Sequence, residues 1–171
     1  LFVSNFVSKK NINGGIKAPL NLVYCKNFKL LQLEHSAPQE IMYKKFYWYR
    51  SGITNTMKNA LRDIFLTVNK MSILKKGDTV LDIGANDGTL LSYFDKKKYI
   101  TIGCEPANNL SKYLRRNCRY ILNNFWNSKD LKKILRNKKI KKIKIITAIG
   151  MFYDLEDPNK FIKDASDSLD E

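Results

Sequence analysis

One stretch limits what this chain can fold into: Val80-Leu81-Asp82-Ile83-Gly84-Ala85-Asn86-Asp87-Gly88-Thr89-Leu90-Leu91. It opens apolar, reaches an acid, turns on two glycines and re-enters an apolar pattern. That order predicts a buried strand, a tight loop and then a helix. Gly84 and Gly88 lack a Cβ, so the backbone can turn sharply and approach a ligand closely. Asn86 and Asp87 suit the same turn, because both tolerate unusual φ and both can cap a helix. The helix is expected to point its first N–H groups at whatever lies over the loop.

A second signal follows. Tyr99 to Cys104 reads as another short strand, and Glu105 ends it. An acid roughly 20 residues past a glycine loop, at the tip of the second strand, is placed to bind ribose hydroxyls. The glycines are spaced Gly-Ala-Asn-Asp-Gly, without the third glycine of a dinucleotide fingerprint. No Gly-Lys-Ser/Thr occurs, which argues against a phosphate-cradling P-loop.

These residues resemble motif I of class I S-adenosylmethionine-dependent methyltransferases. The resemblance implies that the loop passes under the methionine part of the cofactor and that the strand-two acid holds the ribose. Asp82, Gly84, Gly88 and Glu105 match those positions, with Asn86, Asp87 and Pro106 as neighbouring cofactor contacts.

The 171 residues are enough for one domain with a full core. No apolar run reaches the ~18–20 residues of a membrane span, so no membrane partner is expected. The formal net charge is +15, which alone would point to nucleic acid. Lys far outnumbers Arg, Asn and Ile are also abundant, and no nucleic-acid motif accompanies the charge, so a compositional bias is the simpler reading. Cys25, Cys104 and Cys118 have no disulfide or zinc spacing. Reduced thiols in a cytoplasmic protein follow from that. The chain starts at Leu, and the reading expects it to be cut from something longer.

In chain order, residues 1–37 form a small β-rich unit. An apolar segment (Leu1 to Val7) comes first, then a turn from Asn11 to Gly15. Leu20 to Cys25 and Leu30 to Leu33 are expected to pair as a hairpin. Residues 38–74 carry a helical pattern opened by Pro38, the aromatic run Tyr47-Trp48-Tyr49-Arg50-Ser51-Gly52, and a clear helix from Thr54 to Met71. That helix places Met57, Leu61, Ile64, Phe65 and Val68 on one face and is capped by Thr54 or Asn55. The aromatic run reads either as core packing or as a lid. In the second case Tyr47, Tyr49 and Ser51 hydrogen-bond a ligand's polar end, and Arg50 pairs a carboxylate or phosphate.

Residues 75–171 alternate strand and helix, which predicts a Rossmann-like α/β fold of about four parallel strands. Helices are expected at Asn108 to Asn117 and Ser128 to Lys139, with a third strand at Arg119 to Leu122. The run Ile143 to Ile149, nearly all apolar, is expected to be a central strand. Met151 to Pro158 leaves its carboxyl end and should border the site. Asp157-Pro158 starts a last helix with Phe161, Ile162 and Ala165 inward. Trp126 is read as core. The class I fold, as the resemblance implies it, puts Asn124 and Phe125 beside the adenine. Asn124 stands where the family usually has Asp. The family's sheet has seven strands, so four imply an incomplete one.

Taken together, the segments from about Pro19 onward look like C-methyltransferases acting on nucleotide-linked keto-deoxysugars. The Tyr-x-Tyr-Arg-Ser-Gly stretch, followed by the glycine loop, is the most specific part. That family carries a zinc unit of paired Cys-x-x-Cys before the cofactor domain. Here Cys25 stands alone and Phe28 takes the partner position, so no metal is expected. Its acid/base segment lies beyond the fourth strand's helix, past Glu171. No catalytic residue is therefore assigned, and His35, the single histidine, reads as a surface residue. The rival readings are another small-molecule acceptor, a non-catalytic cofactor-binding remnant, a dinucleotide oxidoreductase domain, and a basic RNA-binding protein.

Overall fold

The computed structural model describes residues 8–14, 19–140 and 142–170. The expected opening segment, Leu1 to Val7, and Gly15 of the expected turn lie outside the described residues. The chain divides into two compact units, Leu1–Trp48 and Tyr49–Glu171.

In the first unit, β1 (Leu22–Cys25) and β2 (Leu30–Leu33) form an antiparallel hairpin. Leu22 is opposite Leu33 and Cys25 is opposite Leu30. The turn closes through Lys29 at a φ of 54°. Where Pro38 led to the expectation of a regular helix, the chain makes one short π-type turn, Glu40–Lys44. The pattern there spans too few residues to propagate a helix.

The second unit opens with α1 (Asn55–Lys70), which Thr54 caps by accepting from Met57 N–H at 3.3 Å. Then follow β3 (Thr79–Ile83), α2 (Thr89–Ser92), β4 (Ile100–Cys104), α3 (Ser111–Asn117), β5 (Tyr120–Leu122), α4 (Ser128–Asn137), β6 (Ile145–Ala148) and α5 (Pro158–Ser166). The four strands pair in parallel in the order β5-β4-β3-β6. This is a Rossmann-like α/β sheet. The chain steps outward from β3 to β5, then crosses back to place β6 on β3's other side. The crevice between diverging connections therefore lies at the carboxyl ends of β3 and β6, where ligands of such sheets bind.

Both sheet faces are covered. On one, Leu81, Ile83, Ile102 and Cys104 pack with Leu131 of α4 and Phe161 of α5. On the other, Val80, Ala85, Leu90 and Phe94 pack with Leu61 of α1 and Leu114 of α3. Every residue of β3 is buried, as expected of a strand with neighbours on both sides and helices on both faces. Each fully buried Leu or Ile contributes on the order of 2–3 kcal/mol.

Three expectations need correction. Among the described residues β6 pairs with β3 alone and its residues are half-buried. Its apolar run reports covered faces, not neighbours on both edges. Ile162 is 54 % exposed, because α5 buries only its Phe161 side. The third helix begins at Ser111, after a turn in which Leu110 accepts from Leu114 N–H. Trp126 packs on the core beside Phe161, ring centroids 6.3 Å apart. No described helix is long and apolar enough to cross a membrane.

Candidate functional site

The glycine loop is held by its own hydrogen bonds. Gly84 and Ala85 N–H both donate to Cys104 O, at 2.9 and 3.0 Å, and Gly88 N–H donates to Ala85 O at 2.8 Å. Asn86 N–H donates to Glu105 Oε2 at 2.8 Å and Asp87 N–H to Asn86 Oδ1 at 2.9 Å. Thr89 N–H donates to Asp87 Oδ1 at 3.2 Å. Every N–H from Gly84 to Thr89 thus has an acceptor inside the chain. The first N–H of the helix, that of Thr89, is thereby turned inward and not toward a ligand. The helix is a single turn, and Asp87 takes the donor at its start.

The backbone path explains the residue types. Gly84, Asn86 and Gly88 have φ of 73°, 53° and 79°, a region open to glycine and tolerated by asparagine. A Cβ on Gly88 would lie 2.8 Å from Asn117 Cβ and 2.9 Å from Leu114 Cδ1. Asn117 itself donates from Nδ2 to Asp87 O at 2.7 Å, so α3 clamps the loop from below.

Two buried carboxyl groups lie beneath. Glu105 accepts Asn86 N–H on one oxygen and Ala107 N–H on the other, both at 2.8 Å. A carboxylate offers about four lone-pair sites, so each oxygen keeps one for a further donor. Burial raises the Glu105 pKa, and the two N–H bonds oppose that. Asp82 accepts from Thr147 Oγ1 at 2.7 Å. Burial raises its pKa to about 7, Thr147 lowers it in part, and the nearby Glu105 charge adds to the rise. With its N–H groups already bonded and acids below, the loop suits a ligand bringing O–H, N–H or positive charge. It does not suit a phosphate, which needs free donors.

The segment before α1 is fastened to the same loop. Asn86 Nδ2 donates to Tyr49 O at 3.1 Å, and Ser51 N–H donates back to Asn86 Oδ1 at 3.0 Å. Gly52 N–H donates to Asp87 Oδ2 at 3.0 Å. Arg50 Nε lies 3.6 Å from that same oxygen, and the guanidinium stacks 3.7 Å from the Tyr113 ring centroid. So Tyr49, Arg50 and Ser51 meet Asn86 and Asp87 directly. Tyr47 falls in the first unit, where its ring tilts against Tyr43, centroids 5.7 Å apart.

The remaining candidates line the strand tips. Met151 sits on Gly84, its Cγ 3.0 Å from where a glycine Cβ would be. Asn123 Nδ2 donates to Glu105 O at 2.9 Å and approaches Pro106 O at 3.4 Å. Asn124 Nδ2 instead donates to Asp130 Oδ2 at 3.3 Å, toward the start of α4. Phe125 O accepts from Asn127 Nδ2 at 3.1 Å. Sequence reasoning missed Asn123, Tyr113, Asn117 and Thr147. Only register could have signalled Thr147, the one hydroxyl in an apolar strand and the direct neighbour of Asp82.

Comparison with known proteins agrees with this geometry. Residues 55–171, more than half of the chain, match the profile of a methyltransferase domain. The chain is also similar to the C-methyltransferase NovU of Streptomyces niveus, 26 % identical over 93 residues. That match takes in 54 % of this chain and 22 % of the relative, so it spans about a fifth of the relative's length. A parallel sheet in this order, a glycine loop at its switch point and the profile match place this chain in the methyltransferase-domain family.

Proposed function

We propose that the chain binds S-adenosylmethionine as the methyl donor for carbon methylation of a nucleotide-linked keto-deoxysugar; its residues are assigned to holding the cofactor, and none of them is assigned as the base that takes the proton from the sugar carbon. The observation that carries the cofactor half is the loop's hydrogen bonding. All six N–H groups from Gly84 to Thr89 are already bonded. The site therefore offers acceptors and negative charge, which fit hydroxyl, ammonium and sulfonium groups and not a pyrophosphate. This also weighs against the dinucleotide alternative.

When bound, the cofactor supplies an electrophilic methyl group on a positively charged sulfur. In this reading the chain's own residues do the holding. Glu105 takes ribose hydroxyls on its remaining lone pairs. Gly84, Gly88 and Met151 shape the path of the loop beside the cofactor, and Asp82 steadies it from beneath. Pro106, Asn124 and Phe125 border the base. Arg50 and Ser51, with Tyr49, face the cofactor carboxylate or the acceptor. Asn86 and Asp87 belong to the site by shaping it, since their side chains are bonded within the chain. The unpaired thiols of Cys25, Cys104 and Cys118 support a cytoplasmic setting.

The acceptor half rests on the resemblance of the Tyr-x-Tyr-Arg-Ser-Gly stretch and loop, and on likeness to a C-methyltransferase. Incubating the protein with cofactor carrying a deuterated methyl group and a panel of nucleotide-linked keto-deoxysugars tests it. Mass spectrometry is expected to find the label on a sugar carbon. Label on oxygen, or on none of the sugars, contradicts the acceptor assignment.

A further inference from the structure

We propose that Asp87 is a positioning residue that fastens the Tyr49–Gly52 segment against the glycine loop, so that this segment forms a wall of the cofactor site. The wall role rests on the cofactor reading above; the fastening does not.

Four groups of the segment reach Asn86 or Asp87. Tyr49 O and Ser51 N–H bond the Asn86 amide. Gly52 N–H bonds Asp87 Oδ2, and Arg50 pairs with that oxygen at 3.6 Å. The Asp87 side chain is 3 % exposed and the Arg50 side chain 32 %. Arg50 Nε is buried without a hydrogen bond. Charge attraction and the stack on Tyr113 therefore hold the guanidinium, and removing one charge loosens it. The closeness is built into the residue types. A Cβ on Gly52 would lie 2.6 Å from Thr89 Oγ1 and 2.7 Å from Asp87 Oδ2. Only glycine lets the segment come this near.

The fastening is continuous with the acid beneath the loop. Asn86 donates its main-chain N–H to Glu105 and its side chain to the segment. Asp87 N–H in turn donates to the Asn86 side chain. Acid, loop and segment thus form one hydrogen-bonded unit. A ligand held by Glu105 would fix Asn86, and with it the segment.

Limited trypsin digestion tests this, because the Arg50–Ser51 bond is a cleavage site within the fastened segment. Cuts at Lys96, Lys97 and Lys98, in an exposed turn, serve as internal reference. Asp87→Asn is expected to raise Arg50–Ser51 cleavage about fivefold relative to the reference, through more frequent local opening. The same variant should weaken S-adenosylhomocysteine binding about tenfold by calorimetry. Saturating S-adenosylhomocysteine should slow that cleavage in the wild type. Gly52→Ala, whose Cβ would press on Thr89 Oγ1 and Asp87 Oδ2 and wedge the segment away while leaving the charge of Asp87 in place, should act in the same direction and stands in if Asp87→Asn does not fold. Unchanged Arg50–Ser51 cleavage in the folded variants overturns the fastening. Faster cleavage with wild-type affinity overturns the wall. Faster cleavage in the variants beside a wild type that binds no S-adenosylhomocysteine keeps the fastening and overturns the cofactor reading.

Discussion

Asp82 lies at the centre of the sheet with both neighbours in register, Gly103 on one side and Thr147 on the other. Its side chain accepts a hydrogen bond from Thr147, and burial raises its pKa from 3.8 to about 7. The folded state therefore keeps a proton between about pH 4 and 7 that the unfolded chain releases. Stability from this group is fully present below about pH 4 and falls as pH rises toward 7. At about 1.4 kcal/mol per pH unit the loss amounts to ~4 kcal/mol. Asp82→Asn has nearly the same shape, keeps an acceptor for Thr147 and does not titrate. The variant should match the wild type near pH 4 and exceed it by ~4 kcal/mol at pH 8. Urea unfolding of both proteins at pH 4, 6 and 8 reads the difference, with the titrating groups that do not act on Asp82 cancelling and Glu105, whose charge does act on it, adding a smaller contribution. A stability difference that does not grow with pH would refute the reasoning, because Asp82 would then carry its charge in the fold without penalty.

Three further outcomes follow from the same geometry. Gly88→Ala forces a side chain into positive φ and into contact with Asn117 and Leu114. It should cost about 2–4 kcal/mol in urea unfolding. Leu131→Ala empties a fully buried position of α4 and should cost about 2–5 kcal/mol, read as a fall in Tm of the order of 10 °C. Cys25 is half-buried while Cys104 and Cys118 are buried with raised thiol pKa values, so a maleimide should label Cys25 first and the others only as the chain unfolds.

Much of the fold was legible because it rests on local signals. The β3 strand, its two glycines and Glu105 lie close in sequence, and their order alone implies a strand, a turn and an acid at the tip of the next strand. The helix α1 announced its start at Thr54, and α5 at Asp157, whose side chain accepts from Lys160 N–H at 2.9 Å. What could not be read is what depends on partners distant in sequence. That Arg50 would lie against Asp87 is set by contacts of its neighbours Ser51 and Gly52 that span 35 residues of sequence. That β6 has one neighbour is set by sheet order, to which an apolar run is blind. Asn123 and Asn124 are adjacent and chemically identical, yet one holds the Glu105 backbone and the other the start of α4. Both lie just past the end of β5, so the path of the loop makes that choice, and composition carries no trace of it.

The central claim is that the loop and Glu105 hold S-adenosylmethionine, and the most direct measurement is calorimetric titration of S-adenosylhomocysteine into the wild type and Glu105→Gln, each checked for folding by circular dichroism. The account predicts saturable one-site binding by the wild type and a loss of about tenfold or more in the variant, where an amide replaces a carboxylate oxygen facing N–H donors. A folded wild type that binds none, or a Glu105→Gln variant that binds as tightly as the wild type, would contradict it.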